Sequence, residues 1–294
     1  MIVVTTPTGS IGRQVFDQIL EQRASIRLIM RDPSRLPSHV RERVDVVKGS
    51  HGDSSVVNEA FVGADAVFWL VPPDPRAASV AAAYVDFSRP ACDAFQRHGV
   101  KRVVGITALG RGTPQAGNAG YVTGSLAMDD LIASSGTSYR AVTNPSFMDN
   151  ILRQIASIRS KGIFFSPIDG DRRMPTCATR DIAAVAARLV LDETWSGVDH
   201  AAVLGPDDLS FNEMATIMSD VLGKPVRFQQ TDFDAYKAQF LGFGMSDAMA
   251  QGMTDMARAK NEGLDNAELR TSANTTPTSF RQWCEDLLKS AVDG

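Results

Sequence analysis

Short apolar runs, often β-branched, alternate with amphipathic stretches through the first half of the chain. The apolar runs predict strands at Ile2–Thr5, Ile26–Met30, Asp45–Lys48, Ala66–Val71, Arg102–Thr107 and Ser138–Thr143. The stretches between them predict helices at Gly12–Gln22, Ser54–Phe61, Val80–His98 and Ser125–Ser134. Such alternation is typical of a parallel sheet covered by helices on both faces. Right-handed crossovers then give a doubly wound, Rossmann-type α/β fold.

After residue 150 the alternation becomes less regular. The pattern predicts helices at Ile151–Ser160, Arg180–Leu191, Ser210–Leu222 and Phe233–Glu262, a short strand at Val226–Gln229, and irregular chain over 162–173. Ser210 with Glu213 three residues later has the spacing of a capping box. No low-complexity linker separates the two halves. We therefore predict a dinucleotide-binding domain over residues 1–150 plus about 174–204, and a smaller, interwoven C-terminal α/β lobe over about 151–173 and 205–294.

Composition narrows the function classes. The 294 residues are 44% hydrophobic and 22% charged, with a net charge of -4, so the charge gives no reason to expect a nucleic-acid or membrane partner. Three cysteines and four histidines lack the spacing of metal ligands, and we predict no metal site. The chain begins on an apolar strand without a positively charged leader, which predicts a cytoplasmic protein.

The strongest local signal is the turn between the first strand and the first helix. A diphosphate needs backbone N–H groups and a helix N-terminus, with no Cβ in the way. Gly9 and Gly12 would permit the close approach, Thr8 and Ser10 could add hydroxyl donors, and Thr6 stands where the first glycine of the fingerprint is usual. The predicted phosphate-binding turn comprises Thr6, Thr8, Gly9, Ser10, Ile11 and Gly12.

The end of the second strand predicts which dinucleotide binds. An NAD site usually has an acidic residue there, whereas Arg31 follows this strand directly and could grip a 2′-phosphate, with Arg35 assisting. Asp32 argues the other way, and both arginines could simply lie on a solvated loop. We predict NADP(H), with NAD(H) as the less favoured cofactor.

Several motifs together resemble the NmrA-like family of atypical short-chain dehydrogenases, which includes NADPH-dependent quinone and dye reductases and also NADP-sensing regulators. The likeness runs over nearly the whole chain, through Thr8–Gly12, Arg31–Pro33, Val100–Val104, Asn144–Asn150, Arg180–Ala186, Leu204–Pro206, Leu209–Phe211 and Pro277–Phe280. It implies that Val71 and Pro72 pass beside the adenosine ribose and diphosphate, and that Thr107 lies near the nicotinamide ribose. It also implies that Asn144, Pro145 and Phe147 pass the nicotinamide, and that Asn150 and the loop 162–173 face the substrate.

The sequence departs from the catalytic pattern of this superfamily. Catalytic members combine a Ser or Thr, a Tyr, and a Lys four residues later whose ammonium group lowers the tyrosine pKa and holds the ribose. Thr107 and Tyr121 match the first two positions, but Ser125 occupies the lysine position toward the ribose, and Asn144-Pro145 replaces a frequent Arg-Pro. Without the cation, we expect the pKa of Tyr121 to stay near about 10, so that Tyr121 is a poor base. Tyr121 could equally be a structural aromatic residue.

Three functional hypotheses remain open. The first is an NADPH-dependent reductase that transfers hydride to a small or aromatic electrophile, such as a quinone, dye, imine or enone, without a complete triad. Its apolar substrate site would be formed by Phe147, Met148, Asn150, Phe164 and Phe165. The second is a non-catalytic NADP(H)-binding redox sensor that acts on a protein partner. The third is a biosynthetic cyclase or isomerase on the same fold. The sequence does not predict the oligomeric state.

Overall fold

The computed structural model describes all 294 residues and divides them into two compact units. The first unit comprises residues 1–108, 124–143 and 182–201, and the second comprises 109–123, 144–181 and 202–294. The predicted division differs from this one at residues 109–123, 144–150, 174–181 and 202–204. One physical reason lies at Gly120, where a Cβ would stand 1.9 Å from the carbonyl oxygen of Gly252, so the segment before it packs closely within the second unit.

The strands form one large and two small sheets. They are β1 Ile2–Thr5, β2 Ile26–Met30, β3 Asp45–Lys48, β4 Ala66–Trp69, β5 Arg102–Ala108, β6 Ser138–Asn144, β7 Ser146–Phe147, β8 Ile163–Ser166, β9 Met174–Cys177, β10 Val198–Ala202, β11 Asp208–Leu209 and β12 Arg227–Gln230. The seven-stranded sheet has the order β10-β6-β5-β4-β1-β2-β3. The pairs β3–β2, β2–β1, β1–β4 and β4–β5 are parallel. This is the doubly wound order, whose ligand crevice lies beyond the carboxyl ends of the strands.

Twelve α-helices accompany these strands. They are α1 Ser10–Glu21, α2 Ser38–Arg41, α3 Ser54–Ala60, α4 Phe87–His98, α5 Tyr121–Ala133, α6 Ile155–Lys161, α7 Thr179–Leu191, α8 Phe211–Leu222, α9 Phe233–Gly242, α10 Asp247–Asn261, α11 Phe280–Trp283 and α12 Lys289–Asp293. A π-helical turn, Ala82–Asp86, precedes α4, which contains Pro90. Proline offers no N–H and crowds the carbonyl four residues earlier, so the wider turn accommodates it. None of the helices combines the length and the apolar character that a membrane span requires.

The core of the first unit lies between the large sheet and its helices. Its largest buried side chains include Trp69 of β4, Phe61 after α3 and Phe95 of α4. Phe61 stacks on Phe95, and Trp69 meets Phe95 edge to face. Because β1 and β4 are buried along their whole length, the continuous apolar pattern predicted for a sheet covered on both faces is confirmed.

The second unit contains the two small sheets and most of the later helices. Here β7–β9 is parallel, β9–β11 is antiparallel and β8–β12 is parallel. The capping box at Ser210 and Glu213 is confirmed, with both reciprocal hydrogen bonds present. Two predictions are wrong. The segment 162–173, expected to be irregular, contains β8, and the single helix expected over Phe233–Glu262 is interrupted between α9 and α10, where Gly244 has a φ of 82°.

All three cysteines are buried. Cys92 lies in the core of the first unit, while Cys177 and Cys284 lie in the second unit. Burial raises the pKa of Cys92 and Cys284 to about 12 and that of Cys177 well above its ordinary value. Each thiol is therefore protonated at neutral pH.

Candidate active site

The turn between β1 and α1 leaves backbone N–H groups available. The amide of Gly9 donates to the Thr6 carbonyl oxygen at 3.0 Å, which closes the turn, and Gly9 is the N-cap of α1 with no side-chain capping hydrogen bond. The first-turn amides of α1 therefore lack the internal acceptor that a capping side chain would supply. This is the arrangement that receives a phosphate group at a helix N-terminus.

Gly12 allows the helix to pack directly on this turn. A Cβ at Gly12 would lie 2.1 Å from the Thr6 carbonyl oxygen and 2.9 Å from the Thr6 Oγ1. By contrast, a Cβ at Gly9 would meet nothing closer than 3.5 Å. Gly12 is thus required by packing, whereas Gly9 leaves an open approach on the outer side of the turn.

Thr6 stands where the dinucleotide-binding fingerprint usually has its first glycine, and its backbone is strained there. Its φ is 51°, in the left-handed region that β-branched residues rarely adopt. Its Oγ1 is buried and has no hydrogen-bond partner. Strained conformations of this kind persist at functional sites, where the surrounding structure imposes them. The turn, the close packing at Gly12 and the orphan hydroxyl together fit a diphosphate-binding cradle.

Cationic side chains gather at the end of β2. Arg31 and Arg35 are exposed, and Arg35 and Lys48 both lower the pKa of Asp32 by Coulomb attraction. The larger cause of that lowered pKa is Ser34, whose hydroxyl and amide both donate to Asp32 Oδ1, at 2.6 Å and 3.0 Å. Asp32 thereby caps the turn Pro33–Arg35. This gives Asp32 a structural role of its own.

Sequence reasoning missed His51, which lies between β3 and α3. Its ring meets Trp69 and Phe87 edge to face, and its Nε2 lies 3.0 Å from the Leu70 carbonyl oxygen. Desolvation lowers the pKa of His51 to about 4, with a smaller lowering from Arg31. A neutral imidazole therefore carries its proton on Nε2 and donates to Leu70.

The two residues after Leu70, Val71 and Pro72, were assigned to the cofactor by the family resemblance. Val71 is buried in the core, while Pro72 is exposed.

A buried polar network surrounds Thr107 near the carboxyl end of β5. Thr107 Oγ1 lies 2.8 Å from Ser125 Oγ and donates to Asp129 Oδ2 at 2.7 Å. Tyr139 of β6 donates to the other oxygen, Asp129 Oδ1, at 2.5 Å. Gly105 makes room for Tyr139, because a Cβ there would lie 2.3 Å from the tyrosine hydroxyl. The structure thus brings two predicted residues, Thr107 and Ser125, into direct contact.

Neither Asp129 nor Tyr139 was predicted. The available signal was the spacing of Ser125 and Asp129, which are four residues apart and share one face of the predicted helix. A carboxylate on the apolar, core-facing side of a helix requires partners. Two hydroxyl groups are among the partners it finds here.

Tyr121 differs from the sequence expectation. Desolvation by burial raises the pKa of Tyr121 to about 12, instead of leaving it near 10. The phenolate, which is the form that acts as a base, is therefore even less populated at neutral pH than expected. The phenol can donate a hydrogen bond but is not ionised at neutral pH.

The predicted substrate residues, all in the second unit, fall into two groups. Phe147, Asn150 and Phe165 are half-buried or exposed. Met148 and Phe164 are 2% and 1% exposed and belong to the core of the second unit, where Phe164 packs on Phe211 and Phe228. Apolar packing within the unit thus already engages these two side chains, and their part in a substrate site stays a prediction. Asn144 and Pro145 are likewise buried.

The first unit identifies the family. A family model described as NAD(P)H-binding matches residues 7–193. The chain belongs to this family. Its likeness to the NmrA-like group is thereby confirmed, and the predicted Rossmann fold is confirmed by the strand order. Membership and the relatives below assign the chain to the nicotinamide-dependent oxidoreductases.

Two characterised relatives cover most of the chain. A (4-alkanoyl-5-oxo-2,5-dihydrofuran-3-yl)methyl phosphate reductase of Streptomyces griseus is 29% identical over 300 residues, covering 96% of each chain. An NAD(P)H azoreductase of Xenophilus azovorans is 28% identical over 258 residues, covering 87% of this chain and 86% of the relative. The NADPH complex of an Escherichia coli NADPH-dependent quinone oxidoreductase superposes with a TM-score of 0.80 at 19% identity, over 98% of this chain and all of that one. This last likeness concerns the fold.

No group of three or more histidine, cysteine, aspartate or glutamate side chains is arranged to hold a metal ion.

Proposed function

We propose that this protein is an NADPH-dependent reductase that transfers hydride to a small or aromatic electrophile. The observation that carries the proposal is the cradle at the β1–α1 turn. The uncapped first-turn amides of α1, the close packing of α1 on the turn at Gly12 and the strained backbone of Thr6 together suit a diphosphate bound at the helix N-terminus. When bound, the nicotinamide cofactor supplies the hydride.

Selection of NADPH is assigned to the cationic group at the end of β2. Arg31 and Arg35, with Lys48 near Asp32, would attract a 2′-phosphate, and guanidinium groups bind phosphate through paired charge-assisted hydrogen bonds. Asp32 is engaged by Ser34. The carboxylate that would favour NADH is thus held in a turn.

The class of acceptor follows from the absence of a lysine and of an ionised tyrosine in the site. Ser125 replaces the lysine and Tyr121 remains a neutral phenol, so no strongly activated acid–base pair is available. Hydride transfer itself requires close alignment with an electrophilic carbon or nitrogen and the exclusion of water. We therefore propose acceptors that are already activated, such as quinones, azo groups, iminium ions and conjugated enones. The names of the two relatives, a dihydrofuranone reductase and an azoreductase, support this range. Phe147, Asn150 and Phe165 are proposed as substrate contacts.

A titration with both nucleotides tests the cofactor assignment. Binding of NADPH and NADH is followed by nucleotide fluorescence in the wild type and in Arg31→Ala. We expect the variant to lose at least tenfold in NADPH affinity, about 1.4 kcal/mol, and to keep its NADH affinity. His39→Ala, at an exposed residue of α2, is the control. An equal loss of affinity for NADPH and NADH would refute the role assigned to Arg31.

A redox sensor is the second candidate function. The absence of the lysine favours it, because binding without catalysis needs no proton transfer. Steady-state oxidation of NADPH with a panel of quinones, azo dyes, cationic dyes and enones separates the two functions. Turnover of any acceptor supports the reductase, and tight NADPH binding with no turnover supports the sensor.

A further inference from the structure

The hydroxyl groups around Asp129 can be assigned by counting hydrogens. Tyr139 and Thr107 each have one hydroxyl hydrogen, and both hydrogens point to the Asp129 carboxylate. Thr107 therefore has no second hydrogen for Ser125, so in this arrangement Ser125 donates to Thr107 across their 2.8 Å contact. The result is a continuous chain in which Ser125 donates to Thr107 and Thr107 donates to Asp129.

The chain is buried within the first unit, near the carboxyl edge of the large sheet. Ser125 and Thr107 are each 6% exposed, Asp129 is 3% exposed and Tyr139 is 1% exposed. Thr107 lies next to the last residue of β5, at the carboxyl edge of the sheet where doubly wound folds bind their ligands. Ser125 and Asp129 are the two ends of the chain, and Thr107 joins them.

The same oxygen–oxygen distances suit a second arrangement of the hydrogens. With a proton on Asp129 Oδ2, the carboxylic acid donates to Thr107, Thr107 donates to Ser125, and the Ser125 hydrogen is free to point outward. The two arrangements differ by one proton and by the direction of two hydrogen bonds. No heavy atom has to move.

We propose that Asp129, Thr107 and Ser125 form a proton-delivery chain to the reduced substrate, taking over the task of the missing tyrosine–lysine pair. The proposal rests on the reductase function proposed above. Tyr139 is a positioning residue, because its hydrogen bond stabilises the Asp129 carboxylate after the proton has left.

The transfer balances as follows. An acceptor that has received hydride carries an extra negative charge on oxygen or nitrogen. Ser125 gives its proton to that atom and receives one from Thr107, which receives one from Asp129. Three O–H bonds break and three O–H or N–H bonds form, in concert, leaving a neutral product and an ionised Asp129. Water returns the proton to Asp129 along the same chain in reverse.

Two kinds of acceptor separate proton delivery from hydride transfer. Reduction of menadione or of the azo group of methyl red takes one hydride and one proton. Reduction of the cationic dye malachite green takes one hydride and no proton, because the hydride neutralises the carbocation. A substitution that impairs proton delivery should therefore slow the reduction of menadione and methyl red much more than the reduction of malachite green.

The variants are Ser125→Ala, Thr107→Val and Asp129→Asn, compared with the wild type in single turnovers with bound NADPH. Thr137→Val is the matched control, because Thr137 is also buried, at 8% exposed, and donates only to the Val100 carbonyl oxygen within the first unit. We expect each chain variant to lose roughly 10²-fold or more with menadione and methyl red, the usual contribution of general acid catalysis. The loss with malachite green should be at least tenfold smaller in each chain variant, whatever the variant does to cofactor binding, and the control should show no acceptor-specific loss. Tyr139→Phe should give a smaller, equally selective loss.

Infrared spectroscopy tests whether Asp129 is protonated, and it requires no turnover. At the pH of the kinetic assay, the cofactor-free wild type should show a protonated-carboxyl C=O band that is absent in Asp129→Asn and shifted in Thr107→Val. Absence of this band would overturn the proposal, as would equal losses with all three acceptors in Ser125→Ala. Either of these results would leave the reductase function standing. A wild type that reduces none of the acceptors would instead remove the reductase function, and the relay with it.

Discussion

Replacement of Gly12 by alanine puts a methyl group against the backbone of Thr6. The new Cβ would lie 2.1 Å from the Thr6 carbonyl oxygen and 2.8 Å from its carbonyl carbon. Ordinary contacts of a Cβ begin at about 3.4 Å, so the start of α1 would have to move away from the turn by about 1.3 Å. Both atoms belong to the backbone, and no rotation of a side chain can relieve the overlap.

The expected cost follows from overpacking a buried site. Such insertions destabilise by about 1–3 kcal/mol, and in a protein of this size each kcal/mol lowers Tm by about 2–4 °C. Movement of α1 also displaces the first-turn amides from the phosphate position. We therefore expect NADPH affinity to fall by more than tenfold in the folded variant.

The assay compares Gly12→Ala with Gly9→Ala. Gly9 has a φ of -81°, which alanine adopts readily, and its Cβ would meet nothing within 3.5 Å. Gly9→Ala should keep the wild-type urea midpoint and yet lose NADPH affinity, because its methyl group occupies the open side of the turn. Measurements are urea unfolding followed by circular dichroism and nucleotide fluorescence titration. An unchanged unfolding midpoint in Gly12→Ala would refute the packing argument.

Three further substitutions test individual features of the first and second units. Thr6→Gly should be about 1–2 kcal/mol more stable than Thr6→Ala in urea unfolding, because glycine adopts the left-handed conformation without strain; a less stable glycine variant would contradict strain at this position. His51 has a folded pKa of about 4 against 6.5 unfolded, so its contribution is complete above pH 6.5 and is lost as the pH falls toward 4. The free energy of unfolding should decrease by up to about 3 kcal/mol over that interval, and His51→Gln should abolish this slope; an unchanged slope would assign it to other groups. Tyr121→Phe should reduce turnover of quinones less than tenfold, because a phenol with a pKa of about 12 is a poor proton donor as well as a poor base. A loss of 10²-fold or more would show that Tyr121 acts as the acid.

The strand pattern predicted most of the first unit well because β1, β2, β4 and β5 are buried along nearly their whole length. The largely exposed β10 was not predicted. Three strands, β1 to β3, begin and end at the predicted residues, and the turn before α1 was identified from two glycines and its position. The second unit was harder to predict. Short strands such as β7 and β11 have two residues each, too few for any periodicity, and β9 carries no alternation since all four of its residues are buried.

The candidate site was predicted only in part, for a related reason. Thr107 and Ser125 were found because a family pattern marks their positions. Asp129 and Tyr139 lie on different elements and meet only in the folded chain. His51 has no sequence neighbour that signals its aromatic surroundings. The burial of Phe164 in the core was not predicted, because a sequence does not distinguish an aromatic residue of the core from one that lines a site.

The burial of every cysteine has a consequence for an enzyme that handles electrophiles. Quinones and related acceptors alkylate thiolates, and they do so at a rate set by the ionised fraction and by access. Cys92 and Cys284 have a pKa of about 12, and Cys177 is fully enclosed with a raised pKa. All three thiols are therefore protonated at neutral pH and shielded from solvent. The folded state thus shields the cysteine thiols from the electrophiles that the enzyme is proposed to reduce.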